Sequence, residues 1–247
     1  MITAIKDTAS KCKCRIYTYL KIIVVIISKC GIFCIFKYLT DYYIIRNAVK
    51  GKLSFIIKKY QIENPEISFY KYLDINYWVF ENLHRFYILG LHKSNEKIKI
   101  LDLGTGTGYF PFVCKFYGHE VEALDISNNE MYNDIIKKLE IKRYDGCICA
   151  FKRLEIDKRY DLITSFMICY NNHKNPGLWH IEEWEFFLNS LYNNNLNARG
   201  EILLSFNAET PEEPISDELV SYFSANNAEI DGTTVHIKNN YNFKSTA

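Results

Sequence analysis

The chain has 247 residues, with 30 Lys and Arg against 29 Asp and Glu, and a formal net charge of +1. Its hydrophobic share of 48% and charged share of 24% are typical of globular proteins and exclude a wholly disordered or collagen-like chain. Proteins that wrap long nucleic acid usually carry a basic surplus, so the near-neutral balance argues against nucleic acid as a partner.

The eight cysteines form no C-x-x-C pair. The sequence therefore predicts no metal site of the zinc-ribbon type and no thioredoxin-like redox site. We interpret the cysteines as reduced, small hydrophobic residues in a cytoplasmic compartment. Cys147 and Cys149 lie two apart in an apolar run, which predicts one face of a buried strand.

Residues 1–65 are predicted to form an apolar and basic helical extension. Residues 20–39 are almost wholly apolar and long enough to span a membrane, but Lys29 near the centre would cost roughly 3 kcal/mol there. Lys21, Ser28 and Lys29 fall on one side of a helix. Three alternatives remain: a helix packed on the protein or a partner, a helix on a membrane surface through residues 17–39, or a true span.

Residues 66–240 are predicted to form the main domain, and residues 241–247 a tail. Helical apolar spacing over 68–91 is followed by segments that alternate between strand and helix patterns. The predicted strands are 98–103, 120–125, 147–150, 161–167 and 201–206, and the predicted helices are 109–117, 129–139, 179–196 and 215–226. Asp231-Gly232 predicts a tight hairpin between two short strands.

Alternation of strands and helices is typical of a parallel sheet covered on both faces. The predicted fold class is therefore α/β: a Rossmann-like, doubly wound, mostly parallel sheet with a C-terminal antiparallel hairpin, preceded by N-terminal helices.

The most informative motif is D-x-G-x-G-x-G at residues 102–108, between a predicted strand and a predicted helix. Glycine is needed where the backbone takes a positive φ or touches a ligand, and the helix N-terminus offers free N–H groups. Such a turn lies at the carboxyl end of a strand, where open α/β sheets bind ligands. The dinucleotide fingerprint G-x-G-x-x-G places its third glycine one position later. An ordinary tight turn and a nicotinamide site are the alternatives.

This spacing resembles motif I of the class I S-adenosylmethionine-dependent methyltransferases. Asp125 ends the next strand, where that family has an acidic residue. The resemblance covers residues 68–237. Shorter segments within this range resemble more narrowly a group of bacterial methyltransferase-domain proteins of unassigned substrate. It implies S-adenosylmethionine as cofactor, with Asp102 beneath the methionine end and Asp125 accepting the ribose hydroxyls.

The cofactor-binding residues expected from the resemblance and the strand ends are Asp102, Gly104, Thr105, Gly106, Gly108, Asp125, Ile126, Phe151 and Phe166. One departure concerns the third predicted strand, which ends at Ala150-Phe151 without the Asp or Asn that often meets the adenine amine in this superfamily. Phe151 or Ile126 is expected to supply an apolar wall instead.

The resemblance implies that the methyl group points past the end of the fourth predicted strand. The segment there lacks the [DN]-P-P-[YF] box of methyltransferases that act on adenine or glutamine, which again argues against nucleic acid. If the acceptor is a hydroxyl, a base must take its proton, and His173 is the candidate. Tyr170 and Asn172 could hydrogen-bond a polar acceptor. The alternative for His173 is a loop end or a helix cap.

Three further sets of residues have both a functional and a structural interpretation. His180 and Glu183 could face the acceptor. Trp78, Trp179 and Trp184 could wall an aromatic pocket. Asp74, Asn76 and Tyr77 could cover the acceptor site.

The predicted function is methyl transfer from S-adenosylmethionine to a small-molecule, glycan or lipid-intermediate acceptor, in the cytoplasm or peripherally at the inner membrane face. The alternatives are a non-catalytic methyltransferase-like protein that binds cofactor or acts as a scaffold, and a nicotinamide-dependent oxidoreductase.

Overall fold

The structure is a computed structural model that describes residues 17–63, 68–168, 170, 178–207 and 215–243. Its backbone contacts divide the chain into two compact units. The first unit comprises residues 1–95 with 112–117, and the second comprises residues 96–111 with 118–247. The contacts place α3 (Ile75–Ile88) with the N-terminal helices, because α3 packs against α2 (Ile32–Glu63).

The first unit is helical. Helix α1 covers residues 17–30, α2 covers Ile32–Glu63 and α3 covers Ile75–Ile88. Short 3-10 helices cover Ser68–Leu73 and Leu91–Lys93. The apolar run at 20–39 is thus not one helix, because Gly31 breaks it with a φ of +87°, in the left-handed region that glycine adopts readily and that ends helices.

The inner faces of α1 and α2 pack against α3. Tyr38 of α2 is fully buried and donates its hydroxyl to the carbonyl of Phe80 at 2.8 Å. On α1, the ring of Tyr19 packs edge-to-face on that of Phe80, with the ring centroids 4.6 Å apart, and Ile26 is fully buried. No helix among the described residues is both long and apolar enough to cross a membrane.

The second unit is built on a seven-stranded sheet of order β3-β2-β1-β4-β5-β7-β6. Strands β1 to β5 are parallel, and the β6–β7 hairpin adds an antiparallel edge. The strands are β1 Lys99–Leu103, β2 Glu120–Asp125, β3 Lys142–Asp145, β4 Tyr160–Ile168, β5 Leu196–Phe206, β6 Glu229–Asp231 and β7 Thr234–Ile237. The remaining helices are α4 Tyr109–Phe116, α5 Glu130–Lys138, α6 Ile181–Asn194 and α7 Asp217–Ala225.

The strand order reverses direction between β1 and β4, which is the topological switch of a doubly wound sheet. The predicted fold class is confirmed, including the C-terminal antiparallel hairpin and the N-terminal helices.

The third strand was predicted at 147–150, and that prediction is wrong. The strand is Lys142–Asp145, paired in parallel with β2 so that Asp145 lies opposite Asp125. This strand lies at the edge of the sheet and pairs with one neighbour, so it does not need apolar side chains on both faces. Its residues are polar, and it therefore lacks the apolar pattern from which a buried strand is predicted. Cys147 is exposed in the loop that follows, so the predicted buried face of cysteines is also wrong.

Glu122, in the amino-terminal half of β2, is a buried carboxylate with four side-chain donors. The ammonium groups of Lys142 and Lys158 contact one oxygen, and the hydroxyls of Tyr144 and Tyr160 contact the other. Burial alone would raise its pKa, but these four hydrogen bonds lower it to about 2. Glu122 therefore joins β2, β3 and β4 near their amino ends as an ionised group.

Candidate functional site

The glycine-rich turn leaves the carboxyl end of β1 and enters α4. Gly104, Gly106 and Gly108 all have positive φ, between +57° and +73°. A Cβ at Gly104 would lie 2.1 Å from Ile168, whose side chain covers the turn, whereas a Cβ at Gly106 would meet nothing within 4 Å. The backbone at Gly106 is therefore left open on the side where a ligand would approach.

Asp125 holds this turn from the end of β2. One oxygen of its carboxylate accepts the backbone N–H of Gly106 at 2.6 Å, and the other accepts that of Ile126 at 2.8 Å. Burial raises the pKa of Asp125, and these two hydrogen bonds oppose the rise. A carboxylate has about four acceptor positions, so two hydrogen bonds leave Asp125 able to accept from a ligand.

Two further polar side chains belong to the same edge of the sheet. Asp102 is buried in β1 and accepts the hydroxyl of its neighbour Thr164 at 2.7 Å. The hydroxyl oxygen of Thr105, inside the turn, is buried and has no hydrogen-bond partner among the described residues. Buried polar atoms rarely stay unsatisfied, so the hydroxyl of Thr105 has hydrogen-bonding capacity that the described residues do not use.

A β-bulge shapes the end of β4. The pairing with β5 shifts between Phe166 and Ile168, and Met167 between them has a φ of +58°. Strained backbone at a strand end is common next to functional sites. The bulge brings Ile168 over Gly104 and leaves Phe166 half-buried and edge-to-face with Phe110, with the ring centroids 4.8 Å apart.

The two residues predicted to contact adenine, Ile126 and Phe151, lie in different surroundings. Ile126 follows directly after Asp125 and is half-buried. Phe151 is exposed, has a φ of +55° and packs edge-to-face with Phe186 of α6, with the ring centroids 5.8 Å apart. Ile126 thus adjoins the Asp125 carboxylate through the backbone, whereas Phe151 belongs to the surface beside α6.

Asp145 and Ser127 form a part of this edge that sequence reasoning missed. The Asp145 carboxylate accepts both the backbone N–H of Ser127 at 3.0 Å and its hydroxyl. Asp145 lies opposite Asp125 in the sheet, and its charge contributes to raising the pKa of Asp125. The signal in the sequence was Asp145-Gly146, a strand end followed by a turn residue, which the misplaced third strand concealed.

Tyr170 lies inside an aromatic wall. It is buried, and its hydroxyl donates to Ser165 at 2.6 Å. Burial raises the pKa of Tyr170 well above its ordinary value, so the hydroxyl keeps its proton. The other predicted catalytic residues, His173 and Asn172, lie outside the described residues.

A small, partly open apolar pocket, with a cavity volume of only about 10 Å³, lies at the carboxyl ends of β4 and β5. Its described lining is aromatic or aliphatic except for one amide, and consists of Ile168, Tyr170, Leu178, Trp179, Trp184, Phe206, Asn207 and Leu219. Most of these lining residues, such as Trp184 at 1% exposed, also belong to the hydrophobic core.

Several other candidates have structural roles. The Glu183 carboxylate accepts the backbone N–H of His180 at 2.9 Å and thereby caps α6. Asp74 caps α3 by accepting the backbone N–H of Tyr77 at 3.3 Å. Trp78 donates its indole N–H to the carbonyl of Lys71 at 2.7 Å. A contact of Asp74, Asn76 or Tyr77 with substrate stays a prediction.

Residues 87–178 match the family model described as tellurite resistance protein TehB. The matched segment contains the complete glycine-rich turn, Asp125 and the whole of β4. No curated protein matches the chain significantly. The match and the strand order confirm the resemblance to the class I S-adenosylmethionine-dependent methyltransferases that the sequence indicated.

Solved structures also align with the chain. The PH0226 protein of Pyrococcus horikoshii is 21% identical, with a TM-score of 0.38, over 50% of this chain and 56% of that one. CalS10 of Micromonospora echinaspora, an amino pentose methyltransferase solved with S-adenosylmethionine, is 17% identical, with a TM-score of 0.41, over 54% and 52%. A TehB-like methyltransferase of Corynebacterium glutamicum is 16% identical, with a TM-score of 0.42, over 61% and 83%. The chain spans about half the length of the first two.

Proposed function

We propose that the chain is a methyltransferase that uses S-adenosylmethionine and acts on a small-molecule acceptor with an apolar portion. The observation that carries this proposal is the turn between β1 and α4, closed by the hydrogen bond from Gly106 to Asp125. An ordinary tight turn needs neither a half-buried carboxylate with spare acceptor capacity nor an unsatisfied buried hydroxyl beside it. Both features suit a ligand that carries hydroxyl and amino groups.

The described residues fit the chemistry of this cofactor. Asp125 would accept the ribose hydroxyls, the hydroxyl of Thr105 would bind a polar group next to them, and Asp102 would face the ammonium group. When bound, S-adenosylmethionine supplies a methyl group already activated by its sulfonium. The protein then has to orient the acceptor and exclude water.

The acceptor side of the proposal depends on the aromatic cavity. Trp179 and Trp184 provide apolar area, and Asn207 provides the one amide in the described lining. The hydrogen bond from Tyr170 to Ser165 fixes the tyrosine ring in the wall, so Tyr170 positions an acceptor by contact. For a hydroxyl acceptor, His173 would take the proton and Asn172 would hydrogen-bond the same oxygen.

The first test is a calorimetric titration of the full chain with S-adenosylhomocysteine, with NADH as the control ligand. We expect binding of S-adenosylhomocysteine alone at about 1 µM, near −8 kcal/mol. Gly106→Arg should abolish it, because the arginine fills the open side of the turn and strains a backbone of positive φ. Gly51→Arg is the matched control, since Gly51 lies on α2 with nothing within 4 Å of a Cβ.

The outcomes separate the alternatives. A folded chain that binds neither ligand overturns the proposal, and binding of NADH instead supports the oxidoreductase. A chain that binds S-adenosylhomocysteine but never produces it from S-adenosylmethionine, with any cell-extract fraction, is the non-catalytic cofactor-binding alternative.

A further inference from the structure

The outer faces of α1 and the first part of α2 are apolar and exposed. Sixteen large hydrophobic side chains are exposed among the described residues, and ten of them lie within residues 17–44. These ten are Tyr17, Leu20, Val24, Ile27, Ile32, Phe33, Phe36, Leu39, Tyr43 and Ile44. Exposed apolar side chains scattered singly need no explanation, but a concentration of this kind marks an interaction surface. We call it the 17–44 face.

The side chains of the 17–44 face are not the ones that pack the first unit together. On α1 the buried positions are Ile22 and Ile26, whereas Tyr17, Leu20 and Val24 lie on the opposite side. The inner sides of both helices already contact α3 through Tyr19 and Tyr38. The fold therefore gains nothing from the outer apolar side chains.

Along α2 the exposed side changes character after residue 44. Phe33 is 86% exposed and Phe36 71% exposed, but further along the same side the exposed residues are mostly polar, with Asn47, Lys50 and Lys58 beside a single large apolar residue, Phe55. The continuous apolar surface is thus confined to residues 17–44 and does not extend along the whole helix.

The charges beside the 17–44 face are positive. Residues 17–44 contain three lysines and a single acidic residue, Asp41. The Asp41 side chain is only 14% exposed, and it accepts from Lys37 at 2.6 Å and from the hydroxyls of Tyr87 and Tyr117. Lys21 and Lys29 are both exposed on α1. Residues 1–16 add Lys6, Lys11, Lys13 and Arg15 against one acidic residue.

We propose that the 17–44 face binds the surface of a lipid bilayer with anionic headgroups, with Phe33 and Phe36 inserted at the boundary between headgroups and acyl chains. Lysines that flank an apolar helix face are the usual pattern of an interfacial membrane helix, and each near an anionic surface contributes about 1 kcal/mol. A second copy of the chain is a poorer occupant. Residues 17–44 contain one carboxylate against three lysines, and that carboxylate, Asp41, is already paired with Lys37, so a twofold interface would bring like charges together without a new ion pair from this segment.

The test is flotation of the full chain with vesicles of phosphatidylcholine alone and of phosphatidylcholine and phosphatidylglycerol in equal amounts. We expect binding to the mixed vesicles that weakens as salt is raised. The double variant Phe33→Ser, Phe36→Ser should bind about tenfold more weakly or worse, because two aromatic side chains no longer leave water. The double variant Lys21→Glu, Lys29→Glu should lose the preference for phosphatidylglycerol.

The matched control is Phe55→Ser, since Phe55 is 75% exposed on the same helix but lies outside the 17–44 face. It should bind mixed vesicles like the unmodified chain. All substituted side chains are exposed, and a thermal melt by circular dichroism checks that each variant folds.

Three results would overturn the proposal. The first is a folded chain that does not float with mixed vesicles, and the second is an equal loss in the Phe55→Ser control. The third is a dimer in sedimentation that the Phe33→Ser, Phe36→Ser variant converts to a monomer without any vesicle binding, which would assign the face to a second copy.

Discussion

Two carboxylates three residues apart on β2 have opposite environments. Glu122 is surrounded by side-chain donors from two lysines and two tyrosines, and its pKa falls to about 2. Asp125, at the carboxyl end, accepts only from two backbone N–H groups, and burial raises its pKa. The first carboxylate is fully satisfied by its own fold, and the second has acceptor capacity to spare.

The difference indicates that Glu122 stabilises the fold, whereas Asp125 is available to bind a ligand. Glu122 joins three strands near their amino ends, where open α/β sheets do not bind ligands. Asp125 lies at the opposite end of the same strand, where they do. Substitutions at these two positions should therefore separate folding from binding.

The largest expected effect is on cofactor affinity. Asp125→Ala should weaken binding of S-adenosylhomocysteine by about a hundredfold, because hydrogen bonds to a charged acceptor are each worth about 1.5–3 kcal/mol. Glu122→Gln should leave that affinity within about twofold in the folded protein. Calorimetric titration of both variants checks the pair, and equal losses in the two would contradict the division of roles.

The next effect is on stability. Glu122→Gln should lower the free energy of unfolding by about 2–3 kcal/mol at pH 7, because two lysines lose their charged acceptor in a buried site. Urea denaturation measures the change. Glu120→Gln is the control, since its exposed carboxylate lies 3.7 Å from Lys97 and should change stability little. A smaller effect for Glu122→Gln than for the control would show that the cluster does not stabilise the sheet.

The pH dependence sharpens the same contrast. The pKa of Glu122 is lowered in the folded state, so its stabilising contribution is complete above the ordinary pKa of 4.5 and disappears as the pH falls toward about 2. The Glu122→Gln variant should therefore lose less of its free energy of unfolding than the unmodified chain as the pH falls below 4.5. The raised pKa of Asp125 has the opposite sign, so its contribution to stability is complete below the ordinary pKa of 3.8 and is lost as the pH rises past it. Unfolding curves between pH 2 and 7 test both statements.

The smallest effect concerns Asp145, whose carboxylate anchors Ser127 beside Asp125. Asp145→Ala should weaken S-adenosylhomocysteine binding by about three- to tenfold, because the segment after Asp125 loses two hydrogen bonds. The double variant Asp145→Ala, Ser127→Ala should be no weaker than the single variant if the two residues act as one unit. Additive losses would mean that Ser127 contributes independently.

The sequence by itself determined the glycine-rich turn, the order of most strands and helices, and the position of Asp125 at a strand end. These features follow from local patterns: apolar runs bounded by polar turns, glycines at fixed spacing, and an Asp-Gly hairpin. For the same reason the sequence missed β3, whose polar residues carry no burial signal at a sheet edge, and misassigned Cys147 to a strand.

Only the tertiary structure decided what each polar side chain touches. It placed Asp145 opposite Asp125, gave Glu122 four donors from β3, β4 and the loop before β4, and set Tyr170 against Ser165 within an aromatic wall. It also showed which side of the apolar N-terminal run is buried. Such contacts join residues far apart in the chain, and their register depends on how whole strands and helices pack, which no local pattern encodes.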